Sequence, residues 1–206
     1  MSSDVEMDVG VVTLKDDTRS RLIAATLTVV RREGYQCTTT RAIAAEAGVA
    51  EGTIYRHFAN KRELCSAAVA EQNAPVMALM ANLPSQAGTR TVRAHLVDAL
   101  TELATLRGDF LPLEIGILSD PKETAQRYSL ESLATHGPPV AFLGLKSYLE
   151  LEQRIGRIRT DVKAERVAVV LLAAVIGFGI LPLDPFPKDT KQEAEGIVEL
   201  ALRGLE

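Results

Sequence analysis

The chain has 206 residues, a formal net charge of -4, 47% hydrophobic residues and only 4% aromatic residues. That length suits one large domain or two small ones with a substantial core, and a shortage of aromatics beside abundant Ala, Leu and Val favours helices over strands. Two cysteines, Cys37 and Cys65, are too few for a disulfide framework or a four-thiolate metal site. They are expected to be reduced thiols of a cytoplasmic protein, packed as small apolar residues, and neither a metal nor a cofactor is expected.

Residues 1–14 carry Asp4, Glu6 and Asp8 without an apolar segment, so a disordered acidic tail is expected there and a signal peptide is not. From Thr18 to Arg32, Ile23, Leu27 and Val30 recur at i, i+4 and i+7, which predicts an amphipathic helix stopped by Gly34. A second helix is predicted from about Thr40 to Ala47, ending at Gly48, and a third from about Ala50 to Phe58. Asn60 and Glu63 have the spacing of a capping box and open a fourth.

The helical period then continues, with breaks predicted at residues 84–88 (PSQAG), 107–109 (RGD), 119–122 (SDPK), 136–139 (HGPP) and 182–190 (PLDPFPKDT). Val92, Leu96, Ala99, Leu103 and Leu106 make one apolar face, and Phe142, Leu145, Leu149 and Ile155 another. Thr190 and Glu193 suggest a second capping box, ahead of Ala194, Ile197, Val198, Ala201 and Leu205 on one face. The uncharged run from Val167 to Leu183 is shorter than the roughly 20 residues a spanning helix needs. Its flanks lack a positive-inside signal, so it is expected at the centre of a helical assembly and not in a membrane. The fold class is all-α.

Two short helices joined by a glycine turn form a helix-turn-helix, whose second helix can enter a DNA major groove. Ile43, Ala44, Ala47, Val49, Ile54 and Phe58 supply the small and apolar residues that lock such a unit. Glu51, Gly52, Thr53, Arg56 and His57 are left to face outward. Thr39 or Thr40 is placed to cap the second helix and meet an anion, and Tyr55 can donate a phenolic hydrogen bond. Lys61 falls in the first turn of its helix, where a cation is unfavourable and a nearby phosphate would offset the cost. From Thr13 to Glu63 there are nine Lys/Arg against six Asp/Glu, a balance of +3, whereas residues 1–12 carry -3 and 64–206 carry -4. A positive segment on an acidic chain is the footprint of a polyanionic partner.

The stretch GYQCTTTRAIAAEAGVAEGTIYRHFANKREL, residues 34–64, resembles the N-terminal DNA-binding domain of the TetR family of bacterial transcriptional regulators. The resemblance implies that Thr39, Tyr55, His57 and Lys61 contact phosphates, and that Arg41, Glu51, Gly52, Thr53 and Arg56 lie close to base edges. Ala50 stands where the family often has Ser, and Ala42 where it often has an acidic residue, so one phosphate donor and half a capping box are missing. The domains implied are a DNA-binding head at 15–62 and a helical effector-binding and dimerisation domain at 63–206.

Pairing two recognition helices on DNA requires a dimer with a large apolar interface. The helices within 161–180 and 190–205 are the candidates, with Val167, Val170, Leu171, Ala174, Ile197, Val198, Ala201 and Leu205 at the interface. The family resemblance implies a four-helix bundle there, and an effector pocket among the preceding helices. Met77, Met80, His95, Phe110, Phe142, Tyr148 and Phe178 are candidate lining residues, suited to a small apolar molecule. His95 equally fits a core histidine with a structural partner. No catalytic motif stands out: there is no G-x-S-x-G, H-E-x-x-H or Walker loop, and His57, His95 and His136 lie far apart. The expected function is a homodimeric, ligand-responsive repressor of a palindromic operator in double-stranded DNA. The alternative is a helical adaptor that uses its three-helix head for protein contacts.

Overall fold

A computed structural model describes the backbone of residues 6–118, 138–180 and 189–203, and the side chains of 17–106, 140–177 and 189–203. Regular structure among these residues is helical: α1 (Glu6–Glu33), α2 (Thr40–Ala47), α3 (Glu51–Ile54), α4 (Lys61–Asn82), a 3-10 turn (Leu83–Gln86), α5 (Val92–Leu118), α6 (Pro138–Arg154), α7 (Ala164–Ile180) and α8 (Thr190–Arg203). They form two compact units, Met1–Gln72 with Pro112–Ser119 and Asn73–Leu111 with Asp120–Glu206. No helix among the described residues is long and apolar enough to cross a membrane.

The first unit is the head. Leu22, Ile23, Ala25 and Val29 of α1 close over Ile43, Ala44 and Ala47 of α2, Ile54 of α3, Phe58, and Leu64 and Ala68 of α4. Val49 is partly buried against the same core. Helix α1 starts at Glu6 instead of Thr18, so residues 6–14 of the expected tail carry helical backbone. Nothing in that stretch breaks a helix except Gly10, which a helix tolerates at a cost of about 1 kcal/mol.

Helix α2 has the predicted limits for the predicted reasons. Thr39 is its N-cap, and its hydroxyl accepts from the Ala42 amide at 3.1 Å. Gly48, at φ 66°, closes the other end: its amide bonds to the Ala45 carbonyl at 3.2 Å and the Val49 amide to Ala44 at 3.0 Å. That pair of bonds is a Schellman motif, which needs a left-handed residue at its corner. Helix α3 is shorter than predicted, ending at Ile54 and continuing as turns through His57. Gly52 and the β-branched and aromatic residues 53–55 are weak helix formers, which accounts for the shortening. Asn60 opens α4, its side chain accepting from the Glu63 amide at 2.9 Å while Glu63 reaches back to the Ala59 amide at 2.6 Å. Pro75 sits inside α4, where it removes one ladder hydrogen bond.

The second unit has its own core. Val76, Met77 and Met80 of α4, Leu96, Leu100 and Leu103 of α5, and Leu145, Tyr148 and Leu149 of α6 meet Ala168, Leu171 and Val175 of α7 and Ile197, Val198 and Leu202 of α8. Each fully buried aliphatic side chain contributes about 2 kcal/mol. Helices α4 and α6 approach so closely at Gly144 that a Cβ there would lie 2.1 Å from the Met80 carbonyl oxygen. Helix α5 runs unbroken through 107–109, since one glycine in a long helix weakens it without ending it. Ile155, expected on the apolar face of α6, lies past its end and is exposed. The N-cap of α8 is Asp189 and not Thr190: its carboxylate accepts from the Lys191 amide at 2.9 Å. The expected breaks at 119–122 and most of 182–190 lie outside the described residues, as does Leu205.

Candidate nucleic-acid interface

The α2–α3 unit is fastened from behind by side chains whose partners are distant in sequence. Arg21 of α1 donates to the Ala47 carbonyl at 2.6 Å, tying down the C-terminal end of α2. Arg32 reaches Glu46 at 2.9 Å, and Arg19 lies 5.3 Å above the Phe58 ring and 3.6 Å from Glu71. These cations, counted toward the positive balance of the segment, are engaged within the head. Neither Arg21 nor Arg19 was singled out by the sequence pattern, because their partners are a main-chain carbonyl and a ring some tens of residues away.

Lys61 is engaged too. Its ammonium donates to the Thr38 carbonyl at 2.9 Å and the Tyr35 carbonyl at 3.3 Å, and it stands 4.6 Å from the centre of the Tyr35 ring. Those acceptors offset the cost of a cation in the first turn of α4, so the phosphate inferred from that cost is not required by it. The same contacts fix the 35–38 turn from which Thr39 starts α2. Thr38 is buried and bonds Gly34 through its hydroxyl at 2.8 Å.

The outward face differs. Among the described residues the side chains of Arg41, Tyr55 and Arg56 make no hydrogen bond or ion pair, and Tyr55 is 55% exposed. Thr39 uses a lone pair on the Ala42 amide and keeps its hydroxyl hydrogen. Thr40 donates to Glu51 at 2.6 Å, so of the two threonines Thr39 is the cap and Thr40 is the brace of a carboxylate. Glu51, Gly52 and Arg56 are exposed, while Thr53 and His57 are half-buried. A Cβ added at Gly52 would meet nothing within 4 Å, so nothing inside the chain requires glycine there. His57 packs beside Phe58 with ring centres 6.4 Å apart.

Cys65 is buried behind this unit, and burial pushes its thiol up to about 11 against a smaller opposing pull from Lys61. Cys37 is exposed, contrary to the expectation that both thiols pack inside.

The residues proposed for the other unit fall differently. Met77, Met80 and Tyr148 are buried in its core and Phe142 is half-buried against it; the side chains of Phe110 and Phe178 lie outside the described residues. His95 is buried and bonded to Tyr148 at 3.1 Å, the structural partner expected of a core histidine. Of the residues expected at a dimer interface, Leu171, Ile197 and Val198 are buried in the unit's own core, which takes them from any outward face. Val167, Ala174 and Ala201 are half-buried and Val170 is 62% exposed. Helix α7 turns Ala164, Ala168, Leu171 and Val175 inward at i, i+4, i+7 and i+11, and presents Val169, Val170 and Ile176 outward. Leu200 of α8 is 75% exposed.

Comparison with known proteins agrees with this geometry. Residues 22–68 match the family described as bacterial regulatory proteins, tetR family. The chain is 26% identical over 163 residues to the HTH-type transcriptional regulator YvkB of Bacillus subtilis, covering 79% of this chain and 82% of that one. It is 26% identical over 186 residues to the HTH-type nicotine-responsive transcriptional repressor HdnoR of Paenarthrobacter nicotinovorans, covering 84% and 89%. The fold superposes on the transcriptional regulator FadR of Bacillus subtilis, solved with stearoyl-CoA, at a TM-score of 0.69 and 19% identity over 91% of this chain and 99% of that one. These relatives are regulators and not enzymes, and they do not favour the adaptor reading. With its helix-turn-helix head built as the sequence requires, the chain carries at residues 22–68 the DNA-binding domain of the tetR family of bacterial regulatory proteins, and along most of its length it is similar to HTH-type transcriptional regulators.

Proposed function

We propose that the protein is a homodimeric repressor that binds a palindromic operator and is released by a small, apolar effector. The observation that carries the DNA-binding part is the outward face of α2 and α3, where Arg41, Tyr55 and Arg56 have no partner within the described chain. Unpaired cations and a phenol beside a capped helix start suit phosphates and base edges. Gly52 supports the same reading: a glycine in a helix costs about 1 kcal/mol relative to Ala and has no internal reason here, whereas close approach of a duplex would supply one.

In this reading Thr39, Tyr55, His57 and Lys61 meet phosphates, Lys61 with the N–H left over from its two carbonyl bonds. Arg41, Thr53 and Arg56 read bases, and Glu51, held by Thr40, accepts from an exposed base amino group. The exposed aliphatics of α7 and Leu200 support pairing with a second copy, Val167, Ala174 and Ala201 lying at the margin. The apolar effector is supported by buried Met77 and Met80, which adapt to varied shapes. The nicotine and stearoyl-CoA named for similar proteins have large apolar parts. A cytoplasmic location follows from such a partner.

The test is binding to the promoter DNA beside the protein's own gene across a salt series. Lys61→Ala is expected to weaken binding to every sequence and lower the salt slope by about one unit. Arg41→Ala is expected to blur the preference for the operator instead. Equal affinity for scrambled DNA, or no dependence on salt, removes the reading.

A further inference from the structure

Tyr148 and Glu152 stand one helical turn apart on α6, facing His95 on the first turn of α5, and the three lie at 0%, 0% and 4% exposure. A buried hydroxyl, imidazole and carboxylate hold only as many hydrogens as their protonation states allow, so the directions of their bonds can be worked out. Thr89 donates its one hydroxyl hydrogen to the Gln86 carbonyl at 2.8 Å. Its oxygen, 3.3 Å from Nε2 of His95, is therefore left to accept, and Nε2 carries a hydrogen. In a neutral imidazole Nδ1 is then the acceptor, and the Tyr148 hydroxyl 3.1 Å away must donate to it.

That commits the single phenolic hydrogen. Glu152 shows the consequence. Its Oε1 accepts from the Gly88 amide at 3.0 Å and from Arg157 at 3.5 Å, while its buried Oε2 receives no hydrogen bond from the described residues. Arg157 comes within 3.3 Å of Oε2 as an ion pair, but without the geometry of a hydrogen bond. An orphaned carboxylate oxygen thus lies beside a phenol whose hydrogen points elsewhere, at a site where an unmade bond is expensive.

We infer that His95, Tyr148 and Glu152 form a proton-addressed switch. A proton taken up on Nδ1 makes His95 a donor to the phenolic oxygen, which frees the Tyr148 hydrogen to turn to Oε2 of Glu152. One proton enters from solvent, no covalent bond between heavy atoms changes, and each polar atom of the trio is then bonded. The charged groups around the imidazole set where this happens. Desolvation and the cations Arg90, before α5, and Arg157, after α6, hold His95 below its ordinary range, against Glu152 of α6 and Asp98 of its own helix. Burial first, and then the Glu152 carboxylate within hydrogen-bonding reach, holds the Tyr148 phenol well above its ordinary range, so it keeps its hydrogen in both states. The seam between the 86–91 turn and α6 is in this way a function of proton uptake, whatever the head binds.

The test is nuclear magnetic resonance of the full chain labelled with 15N and 13C, with His95→Gln and Tyr148→Phe spectra to assign the signals. At neutral pH His95 is expected to carry its hydrogen on Nε2 alone. On acidification it should protonate with a midpoint below the ordinary histidine range, and the ζ-carbon of Tyr148 should shift with the same midpoint. That shift should vanish in His95→Gln. A hydrogen on Nδ1 at neutral pH, a Tyr148 signal indifferent to the His95 titration, or a His95 that never titrates before acid unfolding would each overturn the switch.

Discussion

The two units of this chain solve opposite surface problems. The head buries most of its described aliphatics and leaves polar groups outside that have no partner among the described residues: Arg41, Tyr55, Arg56 and the hydroxyl hydrogen of Thr39. The larger unit draws its polar groups inward, where Glu152 and His95 are closed off from solvent, and leaves aliphatics outside at Val169, Val170, Ile176 and Leu200. A cation left unpaired suits a polyanion, and a valine left exposed suits another apolar surface. What each unit leaves unsatisfied is what its proposed partner would provide.

That contrast can be broken at its most rigid point first. Gly144→Ala drives a methyl group into the Met80 carbonyl, which a main-chain neighbour cannot evade. The loss should be about 3 kcal/mol or more, read as a lower midpoint in urea, while Gly196→Ala, with nothing within 4 Å, should not destabilise. Indifference at Gly144 would mean that α4 and α6 do not cross there. Next comes the exposed aliphatic face. Val170→Arg should weaken self-association by about 2 kcal/mol, on the order of thirtyfold, in sedimentation of the purified protein. The head should still fold, so a variant that loses both association and helicity would point to a core role instead.

The smallest effect sharpens the inward side of the contrast. His95 is held below its ordinary pKa of 6.5, chiefly by desolvation, so the folded chain binds fewer protons there than the unfolded chain. Its contribution to stability is complete above that value and is lost as pH falls below it toward the folded midpoint. Urea unfolding at pH 7 and pH 5 should show this decline, and His95→Gln should flatten it. An equal decline in the variant would assign the acid sensitivity to other groups.

What could be read in advance follows the same division. The limits of α2 were legible because Thr39 and Gly48 act locally, through bonds spanning three to five residues. The shortness of α3 was not, since Ile54 and Phe58 keep a helical spacing across what is really a turn. Lys61 was legible as a misplaced cation, but its acceptors are main-chain carbonyls 23 and 26 residues away, and no residue type marks a carbonyl. In α7 the period carries no information, because residues on every side are apolar. Only packing separates Leu171, which is inside, from Val170, which is not. The Tyr148–Glu152 pair is half visible: the spacing of four is in the chain, and His95 fits a core histidine with a partner as well as a pocket, but no residue type names Tyr148 as that partner or joins Glu152 to it.

Gly48 carries a last consequence. Its backbone is left-handed, and the Arg21 guanidinium that grips Ala47 waits 3.4 Å from where a side chain would begin. A substitution there would strain the corner and crowd the arginine that holds it shut. Of the head's described turns this one has the least room for evolutionary drift, so under the proposed function new operators would be explored by changing residues 51–56 around a corner that stays the same.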